Sequence, residues 1–246
     1  MNCGPMSDSA LELTEDAFLG GQLRLRQLKS GHRAGHDAVL LAAATSARSG
    51  DRVADLGAGV GVAGLAVARR IAGIDLVLVE LDPVLAELAR ANATSNAIAA
   101  DIIVLDVEAD AASFAVAGLG PDSVDTVLMN PPFNDPARHR TSPDKARGVA
   151  HEEFDVRARG LCKSKGALTL IWRADGLAEV LAALDHGFGS VEILPVHGDA
   201  SGPANRILVR AVKGGRAPTQ IHPALMLNDE SGVPNTWVQE ILAGKG

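Results

Sequence analysis

Between residues 35 and 213 the apolar positions fall into short blocks of two kinds, and the two kinds take turns. One kind is a near-continuous run of Val, Leu and Ile. These runs are RVADLG from Arg52, DLVLVEL from Asp75, DIIVLD from Asp101, VDTVLMN from Val124, GALTLIWR from Gly166, SVEILPV from Ser190 and RILVRAVK from Arg206. Runs without polar alternation predict strands buried on both faces, as in a parallel sheet. The other kind is Ala-rich, with its apolar residues on one side, and predicts helices. These are GHDAVLLAAATSARSG, stopped by Gly50, then VAGLAVARRI, PVLAELARANATSN opened by Pro83, EADAASFAVAG, residues 149–163 and GLAEVLAALDHG. Alternating strands and helices predict a Rossmann-like, doubly wound α/β domain. The last two strand blocks have no long helix between them, which predicts an antiparallel finish to the sheet. Residues 1 to about 20 carry Gly, Ser and acids with weak periodicity and read as a flexible tail. The rest, 21–246, reads as a single domain without internal repeats.

Composition narrows the picture. Hydrophobic residues make up 47% and charged residues 22%, the balance of a soluble globular chain. No run approaches a membrane-spanning length, and no basic region followed by an apolar core marks a signal peptide. Two cysteines, Cys3 and Cys162, with no CxxC pair, argue against a structural disulfide or a zinc site and fit a reducing, cytoplasmic setting. Net charge is −7, which does not suit a general nucleic-acid coat. The charge is uneven, however. Arg24, Arg26, Lys29 and Arg33 occur between Gln22 and His36 with no acid among them, and Arg138, Arg140, Lys145 and Arg147 form a second basic cluster. Such runs are solvated faces or phosphate grips.

The stretch VADLGAGVGVAG, residues 53–64, takes a strand into a glycine turn and then a helix. Gly57, Gly59 and Gly61 allow a ligand close to the backbone, and the helix offers its N–H groups to an anion. Gly59, Gly61 and Gly64 also spell the dinucleotide fingerprint G-x-G-x-x-G. Asp55 at the strand end favours a ligand with a cationic amine beside a carboxylate, which S-adenosylmethionine (SAM) has and NAD lacks. A packing turn with no ligand is the plain alternative. Glu80 ends the next strand block, where an acid accepts hydrogen bonds from ribose hydroxyls. Asp82 is the weaker candidate for that place. Asp106 ends DIIVLD and reads equally as an acceptor for an adenine amine or as a helix N-cap.

The fourth strand block stops at NPPF, Asn130, Pro131, Pro132 and Phe133. The Asn130 amide oxygen and the Pro131 carbonyl are acceptors. The prolines stiffen the chain and add no N–H, and Phe133 supplies a flat face. Two acceptors beside a flat surface fit a planar group bearing –NH₂, whether a base or a glutamine amide. Accepting both N–H bonds returns electron density to the nitrogen and readies it to attack a methyl group. The plain alternative is a stiff loop with a capping Asn.

DLGAGVG, Glu80 and NPPF together resemble class I SAM-dependent methyltransferases of the amino-group type. KSGHRAGHDAVLL, SPDKARGVAHEE, RILVRAVKGG and PALMLNDESGVPNTWVQEIL extend the likeness to bacterial valine-tRNA adenine-N6 methyltransferases, over roughly residues 20 to 243. The resemblance implies a seven-stranded, mostly parallel sheet with an antiparallel last strand, SAM as cofactor and an exocyclic base nitrogen as target. It implies that Asp55, Gly57, Gly59, Gly61 and Glu80 hold SAM, that Asp106 contacts its adenine, and that Asn130, Pro131, Pro132 and Phe133 clamp the amine. The chain departs from the family's more usual pattern at His36, where a Thr is common, and at Phe133, where a Tyr is common; it contains no tyrosine at all. The expected function is N-methylation of an RNA base, adenine N6 in tRNA first, without a metal, with Arg24, Arg26, Arg138 and Arg140 on phosphates. The rivals are guanine-N2 methylation of rRNA, methylation of a protein glutamine amide, small-molecule O-methylation and a SAM-binding scaffold without catalysis. Neither the oligomeric state nor a role for His36 is legible.

Overall fold

A computed structural model describes residues 12–30, 35–131, 150–199 and 201–245, with residues 150–155 described by their backbone alone. The elements, in chain order, are β1 (Leu13–Phe18), β2 (Leu23–Leu28), α1 (His36–Ala44), β3 (Arg52–Leu56), α2 (Val62–Arg70), β4 (Asp75–Glu80), α3 (Pro83–Ser95), β5 (Asp101–Val104), α4 (Ala111–Val116), β6 (Val124–Met129), α5 (Ala150–Leu161), β7 (Cys162–Arg173), α6 (Leu177–Leu184), β8 (Phe188–His197), β9 (Arg206–Lys213), β10 (Gln220–Ile221), β11 (Leu225–Met226) and α7 (Thr236–Leu242).

The sheet runs in the order β10-β8-β9-β7-β6-β3-β4-β5, with β11 also on β8. β3, β4, β5, β6 and β7 pair in parallel, and β9 lies antiparallel between β7 and β8. The seven longer strands, β3 to β9, are the mostly parallel sheet with one reversed strand that the alternating blocks predict. The two short strands β10 and β11 are additions at the β8 edge, so the sheet has nine strands rather than seven. β7 also starts four residues before Gly166, at Cys162.

Two clusters fill the sheet's faces. Val53, Leu76, Leu78 and Leu128 pack beneath α1, α2, α3 and β2. Ala54, Leu56, Val77, Val79, Val127 and Met129 pack with Phe114 of α4, Leu161 of α5 and Leu184 of α6. Alternate residues of one strand therefore serve opposite cores, which is why these strands carry no polar alternation. Each fully buried Leu or Val contributes about 1.5–3 kcal/mol of transfer free energy.

The tail reading fails for residues 13–18. They form β1, paired antiparallel with β2 in a separate two-stranded sheet. Leu23 and Leu25 of β2 are fully buried against the α2 and α3 side of the core, so burial fixes a segment whose local pattern is weak. The helix caps also differ from expectation. Asp106 is not the cap of α4: the Asp110 carboxylate accepts the Ser113 N–H at 2.8 Å, and Asp106 instead accepts the Glu108 N–H at 2.9 Å within a turn.

Among the described residues no helix is long and apolar enough to cross a membrane. Among them, too, no cluster of three His, Cys, Asp or Glu side chains is arranged to hold a metal ion.

Candidate active site

β3 lies inside the sheet, with β4 and then β5 on one side and β6 on the other. The chain winds outward in opposite directions from β3, so the carboxyl ends of these strands open a crevice, the usual ligand position in such sheets. Leu56 of β3 is level with Val79 of β4 and with Met129 of β6. Asp55, the glycine turn, Glu80 and Asn130 therefore share one edge of the sheet.

The turn is built from backbone donors and two acids. The N–H groups of Gly57 and Ala58 both reach the Val79 carbonyl at 2.9 Å, folding the turn over β4. The Asp55 carboxylate lies beneath it and accepts the Gly64 N–H at 2.8 Å. Only 2% of Asp55 is exposed. Burial pushes its carboxyl up from 3.8 to about 7, the Gly64 N–H opposes that, and the neighbouring Glu80 charge adds to it. The Glu80 carboxylate accepts the Gly59 N–H at 2.7 Å and the Asp82 N–H at 2.9 Å. Two acceptor positions per carboxylate oxygen leave Glu80 room for further donors. Asp82, the weaker candidate, is occupied as the N-cap of α3, taking the Val84 N–H at 2.7 Å.

Gly59 of the turn and Gly64 of α2 do different work. Gly59 has φ +57, a left-handed conformation, and a Cβ added there would meet nothing within 4 Å. That open space is a cradle. At Gly64 an added Cβ would come within 2.5 Å of Leu78 Cδ2 and 3.1 Å of Asp55 Oδ2, so its small size serves packing between α2 and the sheet. Leu81, 60% exposed, follows Glu80 and offers an apolar face at the same edge. A buried acid, a cradle of backbone, an acid with spare acceptor positions and an exposed apolar wall fit a ligand that combines an ammonium, hydroxyls and a flat ring, and SAM is such a ligand.

Asn130 follows β6 directly. Its Oδ1 is buried and has no hydrogen-bond partner among the described residues. Pro131 is buried beside it. Pro132 and Phe133, and the basic pair Arg138 and Arg140, lie outside the described residues. Arg24 and Arg26 are on the exposed face of β2. Arg24 faces Glu15 at 3.5 Å, with both side chains more than half exposed, so this pair contributes little to stability. Nothing in the structure explains His36, the exposed first residue of α1. Its neighbour Asp37 pairs with Arg206 Nε at 2.9 Å and anchors α1 to β9.

Residue-by-residue reading missed Asn92. It lies in the last turn of α3, is fully buried, and donates to the Val60 carbonyl inside the glycine turn at 3.0 Å. Two polar residues four apart in RANATSN, Asn92 and Asn96, are the only trace of it in the sequence.

Solved structures place this fold among methyltransferases. A predicted O-methyltransferase of Agrobacterium tumefaciens is 32% identical, with a TM-score of 0.73 over 85% of this chain and 97% of that one. The T. thermophilus 16S rRNA N2 methyltransferase, solved with AdoMet and guanosine, matches 85% of this chain and 52% of its own at a TM-score of 0.61 and 22% identity, a likeness of fold. The protein is a class I SAM-dependent methyltransferase. The family model for the methyltransferase small domain matches residues 31–198, and the chain belongs to that family. A curated relative, the tRNA1(Val) (adenine(37)-N6)-methyltransferase of Porphyromonas gingivalis, is 30% identical over 177 residues, covering 67% of this chain and 68% of the relative.

Proposed function

We propose that this methyltransferase acts on an exocyclic amine of an RNA base, adenine N6 of a tRNA. The observation that carries the reading is the buried Asn130 Oδ1, which has no hydrogen-bond partner among the described residues. An acceptor left unpaired in a protein interior costs about 1–3 kcal/mol. The cost is recovered when a donor arrives, and an –NH₂ group is such a donor. A hydroxyl substrate would instead need a general base. The Pro131 carbonyl is the second acceptor in this reading, and Phe133 the surface on which the base stacks. The named tRNA adenine-N6 relative supports adenine over guanine.

Asp55, Gly57, Gly59, Gly61, Glu80 and Asp106 hold the cofactor. Glu80 takes the ribose hydroxyls, Leu81 lies against the adenine ring, and Asp55 is the acid beneath the turn that faces the ammonium. SAM, when bound, supplies an electrophilic methyl group. The chain's own residues hold the amine in line with it and accept its N–H bonds. Those bonds strengthen as the nitrogen becomes tetrahedral and positive, so they favour the transition state over the ground state. Inside folded RNA the base must first leave its stack. Arg24, Arg26, Arg138 and Arg140 grip phosphates.

The test is a methyl-transfer assay with purified protein and labelled SAM, run separately on bulk tRNA, rRNA and protein extract, followed by mass spectrometry of the labelled nucleosides or amino acids. N6-methyladenosine is expected. Methyl-guanosine from rRNA would move the target to guanine. Label on a glutamine-bearing protein, with none on RNA, would refute the reading.

A further inference from the structure

Strand β2 has two edges. One pairs with β1. The other turns the N–H and C=O groups of Arg24 and Arg26 toward α3, where no strand lies. Two side-chain amides take a strand's place. Asn96 Oδ1 accepts the Arg24 N–H at 3.0 Å, and Asn96 Nδ2 donates to the Arg24 carbonyl at 2.7 Å. One turn earlier, Asn92 Oδ1 accepts the Arg26 N–H at 2.8 Å, and Asn92 Nδ2 donates to the Arg26 carbonyl at 3.0 Å. The spacing explains the match. Four helical residues rise about 6 Å and two strand residues about 6.7 Å, so amides at i and i+4 meet alternate residues of a strand.

The two asparagines differ in their remaining N–H. Asn96, the C-cap of α3, donates back to the Asn92 carbonyl at 2.8 Å. Asn92 donates to the Val60 carbonyl at 3.0 Å, between Gly59 and Gly61. Both amide hydrogens of Asn92 are thus committed to different segments, and the side chain is fully buried. A rotation that frees one bond strands a buried carbonyl at the other.

We propose that Asn92 is a positioning residue that couples the N-terminal hairpin to the glycine turn, so that the docking of β2 and the binding of SAM reinforce each other. The proposal rests on the reading that the turn at 57–61 holds SAM. Linkage requires reciprocity: if docked β2 favours the binding-competent turn, bound SAM must tighten β2.

Asn96 supplies the control, since it grips β2 in the same way without touching the turn. The experiment measures SAM affinity by calorimetry and amide hydrogen exchange with and without SAM, in wild type, Asn92→Ala, Asn92→Ser and Asn96→Ala. Asn92→Ala is expected to raise the SAM Kd about tenfold and Asn96→Ala less than about threefold, on the scale of one buried hydrogen bond. SAM is expected to slow exchange of the Arg26 amide in wild type and Asn96→Ala. That response should be lost in Asn92→Ala and in Asn92→Ser, which keeps one donor and disturbs packing less. Equal weakening of SAM binding by Asn92→Ala and Asn96→Ala would overturn the proposal. So would a wild-type Arg26 amide indifferent to SAM, a measurement that needs no variant to fold. SAM that binds but leaves residues 57–61 unprotected would instead overturn the placement of the cofactor. Protection at 57–61 with none at Arg26 would overturn the coupling alone.

Discussion

Asp55→Asn should make the ligand-free protein more stable at alkaline pH while weakening its hold on SAM. The Asp55 carboxyl is pushed from 3.8 to about 7, chiefly by burial. That difference corresponds to roughly 4 kcal/mol held against the ionised form in the folded state. The sign follows from which state carries the proton. Below about pH 4 both folded and unfolded chains are protonated at this residue, and there is no penalty. Between about pH 4 and 7 the unfolded chain ionises while the folded one keeps its proton, so stability falls as pH rises. Above about pH 7 the whole penalty is in place. Asparagine does not titrate. Its amide still meets the Gly64 N–H through Oδ1, and any cost of its –NH₂ is the same at every pH. The stability of Asp55→Asn minus that of wild type should therefore grow by about 4 kcal/mol from pH 4 to pH 8, read from urea unfolding at each pH. On the proposed placement, the ligand's ammonium would reverse the balance by favouring the carboxylate. SAM affinity in wild type should rise with pH by up to about tenfold per unit below 7 and then level off, with a proton released on binding. Asp55→Asn should show weaker affinity and no such slope. A stability difference independent of pH would refute the buried-acid argument. A SAM affinity unchanged by the substitution would refute the placement of the ammonium.

Four further outcomes are expected. Asn130→Ala should lower kcat about 10²–10³-fold with SAM affinity nearly unchanged, because it removes a hydrogen bond that strengthens in the transition state; wild-type turnover in the purified variant would sink the clamp. Gly59→Ala should raise the SAM Kd with a modest loss of stability from its left-handed φ, because its methyl group enters open space. Gly64→Ala should lower the melting temperature instead, because its methyl group would meet Leu78 at 2.5 Å; calorimetry beside thermal unfolding separates the two, and a reversed pattern would show that Gly59 is no cradle. Reversing Arg24 and Arg26 to Glu should weaken RNA binding and leave SAM affinity alone. The slope of log affinity against log salt should flatten by about one for each phosphate no longer neutralised, as titrations at several salt concentrations would show. Unaltered RNA binding would remove the hairpin from the RNA surface.

What the sequence shows of this protein depends on whether burial is local. The strands β3, β4 and β6 are legible because both of their faces meet a core, which leaves Val, Leu and Ile unbroken by polar residues. The hairpin left a fainter mark. LRLRQL from Leu23 alternates strictly, with Leu23 and Leu25 buried and Arg24 and Arg26 exposed, yet it reads first as a basic run. Register and strand order carry no local signal, so the short strands β10 and β11 at the β8 edge went unforeseen. Asp82 and Glu80 look alike in sequence. Only the fold shows that one caps α3 and the other reaches Gly59.

The site residues pose a different problem, because their environment is set by segments far along the chain. Asn92 is one polar residue of RANATSN until β2 and the glycine turn, 66 and 32 residues away, arrive on either side of it. Asp55 is an ordinary acid at a strand end until α2 closes over it. Asn130 is an ordinary turn residue until its Oδ1 is buried. Asn92 has both amide hydrogens and its Oδ1 engaged by this chain, and so it acts within the fold. Burial pushes the Asp55 carboxyl up to about 7, and Asn130 has an acceptor without a donor among the described residues. Neither arrangement gains the folded chain anything by itself. On the proposed function, local rules fail at these positions because the partners that would complete them come from outside the chain, an ammonium for the one and an amine for the other.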